Sequence, residues 1–177
     1  MVRDIQKIED DIVKKKRKIE QVLYSDPDII EILDNTELDP SCPEDYINKN
    51  IFGFLRIPGT QDVSKNFITF TVDDIELSSS NRVMKNQFIQ FVIFVHKDLI
   101  NTNYGIYRHD LLGYLIRDIF HLSNVLGPQM ELVSNREGVT DSDYHTRTLR
   151  FELVDDNSTK PFRTNQYEYD YIVGHRR

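Results

Sequence analysis

Tryptophan is absent from this 177-residue chain, cysteine occurs once, and glycine is limited to seven positions. A lone thiol, Cys42, excludes an internal disulfide framework and a four-cysteine zinc site. So few glycines leave little material for phosphate-cradling loops, and no Walker loop, Gly-x-Gly-x-x-Gly turn or Gly-x-Ser-x-Gly elbow occurs. No apolar run approaches the roughly twenty residues that span a bilayer. Positive charge is in deficit as well, 22 Lys and Arg against 29 Asp and Glu, which argues against a general nucleic-acid binder. The opening Met-Val-Arg-Asp leads into a charged helical pattern rather than a signal-peptide core, so a soluble protein of a reducing compartment is expected.

What the chain does have is aromatic mass and unevenly placed charge. Ten Phe and nine Tyr are available to bury or to place at an interface. Residues 1–24 hold seven basic and five acidic groups, a net of +2. Residues 25–80 hold three basic and twelve acidic groups, a net of −9, and the remainder balances. A segment this acidic is a solvated face, a surface for a basic partner, or a surface that repels nucleic acid.

Periodicity divides the chain into elements. Ile5, Ile8, Ile12, Ile19 and Val22 recur at three-four spacing and predict a helix over 3–24, with Lys15 at the one position where the apolar stripe is interrupted. The narrow stripe suits docking on the body of the protein or on a neighbouring subunit. Ser25-Asp26-Pro27 supplies a cap and a first-turn proline for a short helix over 28–33. Residues 34–50 read as a loop, 51–57 as a short strand and 66–75 as a stronger one. Over 87–96 both faces of the strand are apolar, which predicts a central position with cover on each side, or contact with another subunit. Residues 107–124 form an amphipathic helix whose polar stripe includes Asp110, Gly113 and Arg117. Strands are expected at 129–133 and 145–154, separated by a polar loop over 134–143. Tyr167, Tyr169 and Tyr171 alternate in a strand-like tail. The expected fold is α+β, a mainly antiparallel sheet packed by one amphipathic helix. It forms a single domain with a helical arm over 1–34, a core over 51–154 and a tail over 160–177.

Several residue sets invite a chemical reading. The run Lys14-Lys15-Lys16-Arg17-Lys18 would grip phosphates or an acidic protein surface, yet five consecutive helical residues point all round the axis, so a solvated face is favoured. His96, His109, Asp110, Asp118 and His121 resemble scattered metal ligands, with ordinary structural roles preferred. Asp73, Asp74 and Glu76 beside Lys85 suggest a metal-dependent nuclease, although adjacent Asp73 and Asp74 point to opposite faces of a strand. Cys42 lies in a proline-rich acidic loop, and no nucleophilic role is expected of it.

The strands at 66–75 and 87–96, the helix opened by Tyr107-Arg108-His109-Asp110-Leu111-Leu112, and the strands at 129–133 and 145–154 resemble the tail-terminator and head–tail completion proteins of tailed bacteriophages. The resemblance covers about residues 51–154 and rests on element order. It implies a non-enzymatic virion protein, without cofactor or metal, that forms a homo-oligomeric and commonly hexameric ring. Such a ring joins the tail tube to the head connector and leaves a channel through which DNA passes without specific binding. It implies a place in the virion neck after synthesis in the host cytoplasm. Ring loops are expected among 34–50, 59–66 and 134–143. Subunit contacts are expected at Ile5, Ile8, Ile12, Lys14, Lys16, Arg17, Ile19, Phe91, Tyr167, Tyr169 and Tyr171, because heterologous rings need spare aromatic strands and an outlying helix. Two other classes stay open: a metal-dependent nuclease or phosphohydrolase using Asp73, Asp74, Glu76 or His109, and a small adaptor that binds a partner through its N-terminal helix.

Overall fold

In a computed structural model the described residues are 10–59, 66–74, 84–140 and 143–156. Apolar residues on alternate positions of β2 (Asn66–Asp74), β3 (Met84–His96) and β5 (Tyr144–Asp156) line one face of a sheet, and three helices cover that face. The sheet has five strands in the order β1-β2-β3-β5-β4, with β1 (Ile51–Phe52) parallel to β2 and every other pair antiparallel. The fold is therefore α+β, with a mostly antiparallel sheet.

The first helix, α1 (Asp11–Ser25), starts later than the apolar spacing predicts. Asp10 has an extended backbone and accepts a hydrogen bond from the Val13 amide at 3.0 Å, so it caps the helix rather than continuing it. Over the described part of the stripe, the body is the docking site taken. Ile19 and Leu23 are fully buried in the main core. The second helix, α2 (Pro27–Leu33), follows the expected cap: Asp26 Oδ1 accepts from the Asp28 and Ile29 amides at 2.9 and 3.1 Å, and Pro27 opens the first turn. Its Ile29, Ile30, Ile32 and Leu33 are all buried. Over residues 11–33 the apolar faces of these two helices complete the core of the body, and positions 1–9 of the expected arm lie outside the described residues.

β3 lies at the centre of the sheet, as its two apolar faces predict. On the helix side Phe91 is fully buried, with ring centroids 5.1–5.8 Å from Phe70, Phe120 and Phe151. On the other side Phe67 stacks on Phe94 at 4.9 Å and meets Phe52 edge-on. The expected subunit contact at Phe91 is thereby corrected. Phe91 is enclosed by the chain's own aromatic rings and has no surface left for a partner, while Phe88, Gln90 and Val92 on the opposite face of β3 stay half-buried.

α3 (Arg108–Phe120) packs on β5, β3 and β4. Gly113, expected in the solvent stripe, is buried against β5: a Cβ there would sit 3.1 Å from Arg147 Cγ. The helix ends at Phe120, and Leu122 takes a positive φ of 55°. The loop expected over 134–143 is instead mostly strand. β4 (Met130–Thr140) pairs with β5 along its whole length, with one register shift between Leu132 and Ser134. At the sheet's edge a strand is solvated on most of its positions, so hydrogen bonding to a neighbour sets its conformation without an apolar alternation to announce it.

Candidate functional site

Two polar clusters and two apolar surfaces are the features that bear on function. The first cluster lies beneath the start of α1. Lys15 is only 4% exposed. Its Nζ donates to Asp11 at 2.9 Å, to Gln87 Oε1 and to Asp155. Lys85 reaches Asp11 at 2.8 Å and Asp74 at 3.4 Å, while the Gln87 amide donates to Asp11 and Asp74. Burial alone would raise the Asp11 carboxyl, but the two lysines outweigh it and hold the group below the ordinary carboxylate range. Burial likewise pulls Lys85 down, and Asp11 and Asp74 reverse that and lift it above the ordinary lysine value.

This network brings together part of the nuclease set. Asp74 and Lys85 do meet, joined by Asp11 and Asp155. Asp73 faces the other side of the sheet, where Thr71 donates to it at 2.8 Å, and Glu76 lies outside the described residues. The carboxylates Asp11, Asp74 and Asp155 are each turned onto a lysine. Among the described residues no group of three or more His, Cys, Asp or Glu side chains is placed to hold a metal ion. Chemically, the arrangement locks the first turn of α1 to one end of β2, β3 and β5.

The second cluster sits where the first turn of α3 meets the β4–β5 hairpin. His109, fully enclosed, is sandwiched between the Tyr107 and His145 rings at 6.1 and 5.9 Å. Its Nε2 lies 3.6 Å from Asp110 and 3.4 Å from Glu137, and neither ring nitrogen has a hydrogen-bond partner among the described residues. Arg147 reaches Asp110 at 3.0 Å and Glu137 at 4.0 Å, so the carboxylates already have a cation. The neighbouring Arg108, also buried, ties α3 to α2. Its Nε donates to the Leu99 carbonyl at 2.7 Å and its guanidinium to the Ile32 carbonyl and to Asp34. Of the other histidines considered as ligands, His121 is committed to the backbone, its Nδ1 accepting from the Leu132 amide at 3.1 Å, and Nδ1 of His96 lies 3.2 Å from Asp98.

The residues expected to contact partners fall into three groups. Ile5, Ile8, Tyr167, Tyr169 and Tyr171 lie outside the described residues. Ile19 and Phe91 are wholly buried in the core, and Ile12 packs half-buried against it. For Ile19 and Phe91 the expectation is corrected on the same ground, that their surface is used within the chain. Lys14 and Arg17 are exposed on the outer side of α1, with Lys16 half-buried.

Two apolar surfaces escaped the sequence reading. One is the segment that follows β1, where Phe54, Leu55 and Ile57 are 50%, 56% and 74% exposed and the Arg56 guanidinium lies 4.6 Å from the Phe52 ring. The other is a groove of about 300 Å³ lined by Asp28, Glu31 and Ile32 of α2, Tyr104 and Ile106 of the loop before α3, and Leu111 and Leu115 of α3. Tyr104 and Ile106 are largely exposed, and the Tyr104 hydroxyl donates to Glu31 at the rim. Tyr104 and Ile106 inside the polar loop 101–107 were the available signal. No helix among the described residues is long and apolar enough to cross a membrane.

A family model described as YomW matches residues 26–153, from the cap of α2 into β5, and so takes in α2 along with most of the sheet and α3. No curated protein matches the chain.

Proposed function

The chain belongs to the YomW family, whose name is that of a phage-derived protein and so is consistent with phage origin, and we propose that it is a structural virion protein. It assembles as a homo-oligomeric ring at the head–tail junction, closes or joins the tail tube there, and leaves a channel for DNA. The observation that carries this reading is the pair of unlike apolar surfaces on one chain, the segment 54–57 and the groove between α2 and α3. Surfaces that differ from each other support head-to-tail contacts, and head-to-tail contacts build a ring when the rotation from copy to copy closes, an open filament when it does not.

Charge supports the same reading. Asp34, Glu37, Asp39, Glu44 and Asp45 are all exposed on the 34–50 loop, against one lysine, Lys49. A conduit lined by such a loop repels the phosphate backbone instead of holding it. The loop is firmly seated, since Tyr46 and Asn50 are buried beneath it and Asn35 donates to Asn50 at 2.6 Å.

The test is assembly. Light scattering of the full-length protein, alone and with phage tail tubes, followed by electron microscopy, is expected to show closed rings, six-fold in the commonest case, seated at tube ends. A monodisperse monomer that never associates with tubes would sink the reading.

A further inference from the structure

The two apolar surfaces also match each other. The segment presents Phe54, Leu55 and Ile57 with a single cation, Arg56, among them. The groove presents an apolar floor of Ile32, Leu111 and Leu115 with two acids, Asp28 and Glu31, at its rim. Apolar side chains flanking a guanidinium fit an apolar slot flanked by carboxylates, and the exposed ends of Tyr104 and Ile106 extend the contact beyond the slot. At about 300 Å³ the groove has the size of a small binding pocket.

Within one copy both surfaces stand exposed, on different elements. The segment leaves the sheet at β1, the edge strand beside which α1 packs. The groove opens between α2 and α3, and α3 lies over β3, β5 and β4. We infer that residues 54–57 of one copy seat in the α2–α3 groove of the next copy, Arg56 toward Asp28 and Glu31. This rests on the ring reading above and names the contact that builds the ring. Each added copy buries one segment and one groove and leaves one of each free, so only closure satisfies them all.

The test uses the full-length chain with Leu55→Glu as the segment variant and Ile106→Glu as the groove variant. Both side chains are about half exposed, so the fold should tolerate them, with circular dichroism as the check. Each variant alone is expected to lose self-association by at least about tenfold, as truncation of an anchoring residue does. Mixed in equal amounts they should stop at a dimer, since one intact segment and one intact groove remain. Wild-type rings together with unimpaired rings from both variants would overturn this contact and leave the ring reading standing.

A second measurement is independent of ring formation. Chains carrying Cys42→Ser with either Leu55→Cys or Ile106→Cys are mixed at high concentration and oxidised. A disulfide joining a Leu55→Cys chain to an Ile106→Cys chain, in excess over those joining like chains, supports the contact even if the wild type never closes a ring. Its absence, in a wild type that stays monomeric, defeats both statements. A photoreactive side chain placed at Ile106 that captures a peptide other than 54–57, from the same chain or another protein, assigns the groove a different occupant and overturns the pairing.

Discussion

Lys15 shows what a single residue can carry. Its place in the apolar stripe of α1 is visible in the sequence as an interruption, and a charged residue at such a position normally means a solvated helix face. Instead it is buried, because Asp155 and Gln87 approach it from strands 140 and 72 residues away in sequence. Nothing local announces a partner at that distance. Replacing Lys15 with alanine takes its ammonium away from Asp11, Gln87 and Asp155, while Lys85 still reaches Asp11. Breaking a fully buried pair costs about 3–5 kcal/mol; these carboxylates are about a quarter exposed, so a loss of about 1–3 kcal/mol is expected in urea unfolding. Lys14→Ala, on the exposed side of the same turn, should stay within about 0.5 kcal/mol of wild type. Equal effects from the two substitutions would refute the structural role given to Lys15.

Element ends are legible where chemistry is local and illegible where it is not. Ser25-Asp26-Pro27 marks the start of α2 because a carboxylate and a proline act on amides within three residues. Asp26→Ala should therefore lower stability by about 1 kcal/mol in thermal melts, with Asp26→Asn retaining most of it, since an amide oxygen still accepts from the Asp28 and Ile29 amides. An unchanged melting temperature in the alanine variant would show that the cap is not what fixes that end. β4 is the contrary case. Ser134, Asn135, Arg136, Glu137 and Gly138 have poor strand preferences, and only pairing with Thr146–Arg150 of β5 extends them. Gly113 is a third lesson, since helical periodicity puts it beside Asp110 and Arg117 while close approach of β5 puts it inside.

At the scale of the whole molecule, acid and base act on the same network with opposite limits. Asp11 has a folded value below its ordinary one, so its contribution is present above about pH 3.9 and is lost as pH falls through the folded value. Lys85 has a folded value above its ordinary one, so its contribution is complete below about pH 10.4 and is lost as pH rises through the folded value. Glu20 runs the other way. Burial raises it against the pull of Lys16 and Arg17, so its ionisation costs stability as pH rises past the ordinary carboxylate range. Urea midpoints measured from pH 3 to 7 are expected to fall at the acid end, with the fall reduced in Asp11→Asn and the neutral midpoint slightly raised in Glu20→Gln. A wild-type acid slope in Asp11→Asn would remove that residue from the account. The α+β class, the order of strands and helices, the cap at Asp26 and the central place of β3 all follow from the sequence by itself, because periodicity and capping act over a few residues. Tertiary structure alone decided that Phe91 and Ile19 face inward, that Lys15 is buried, and that residues 54–57 and the α2–α3 groove stand open. A strand or helix with an apolar face states that something must cover it. Whether that cover is the chain's own core or another copy is settled only when distant elements pack.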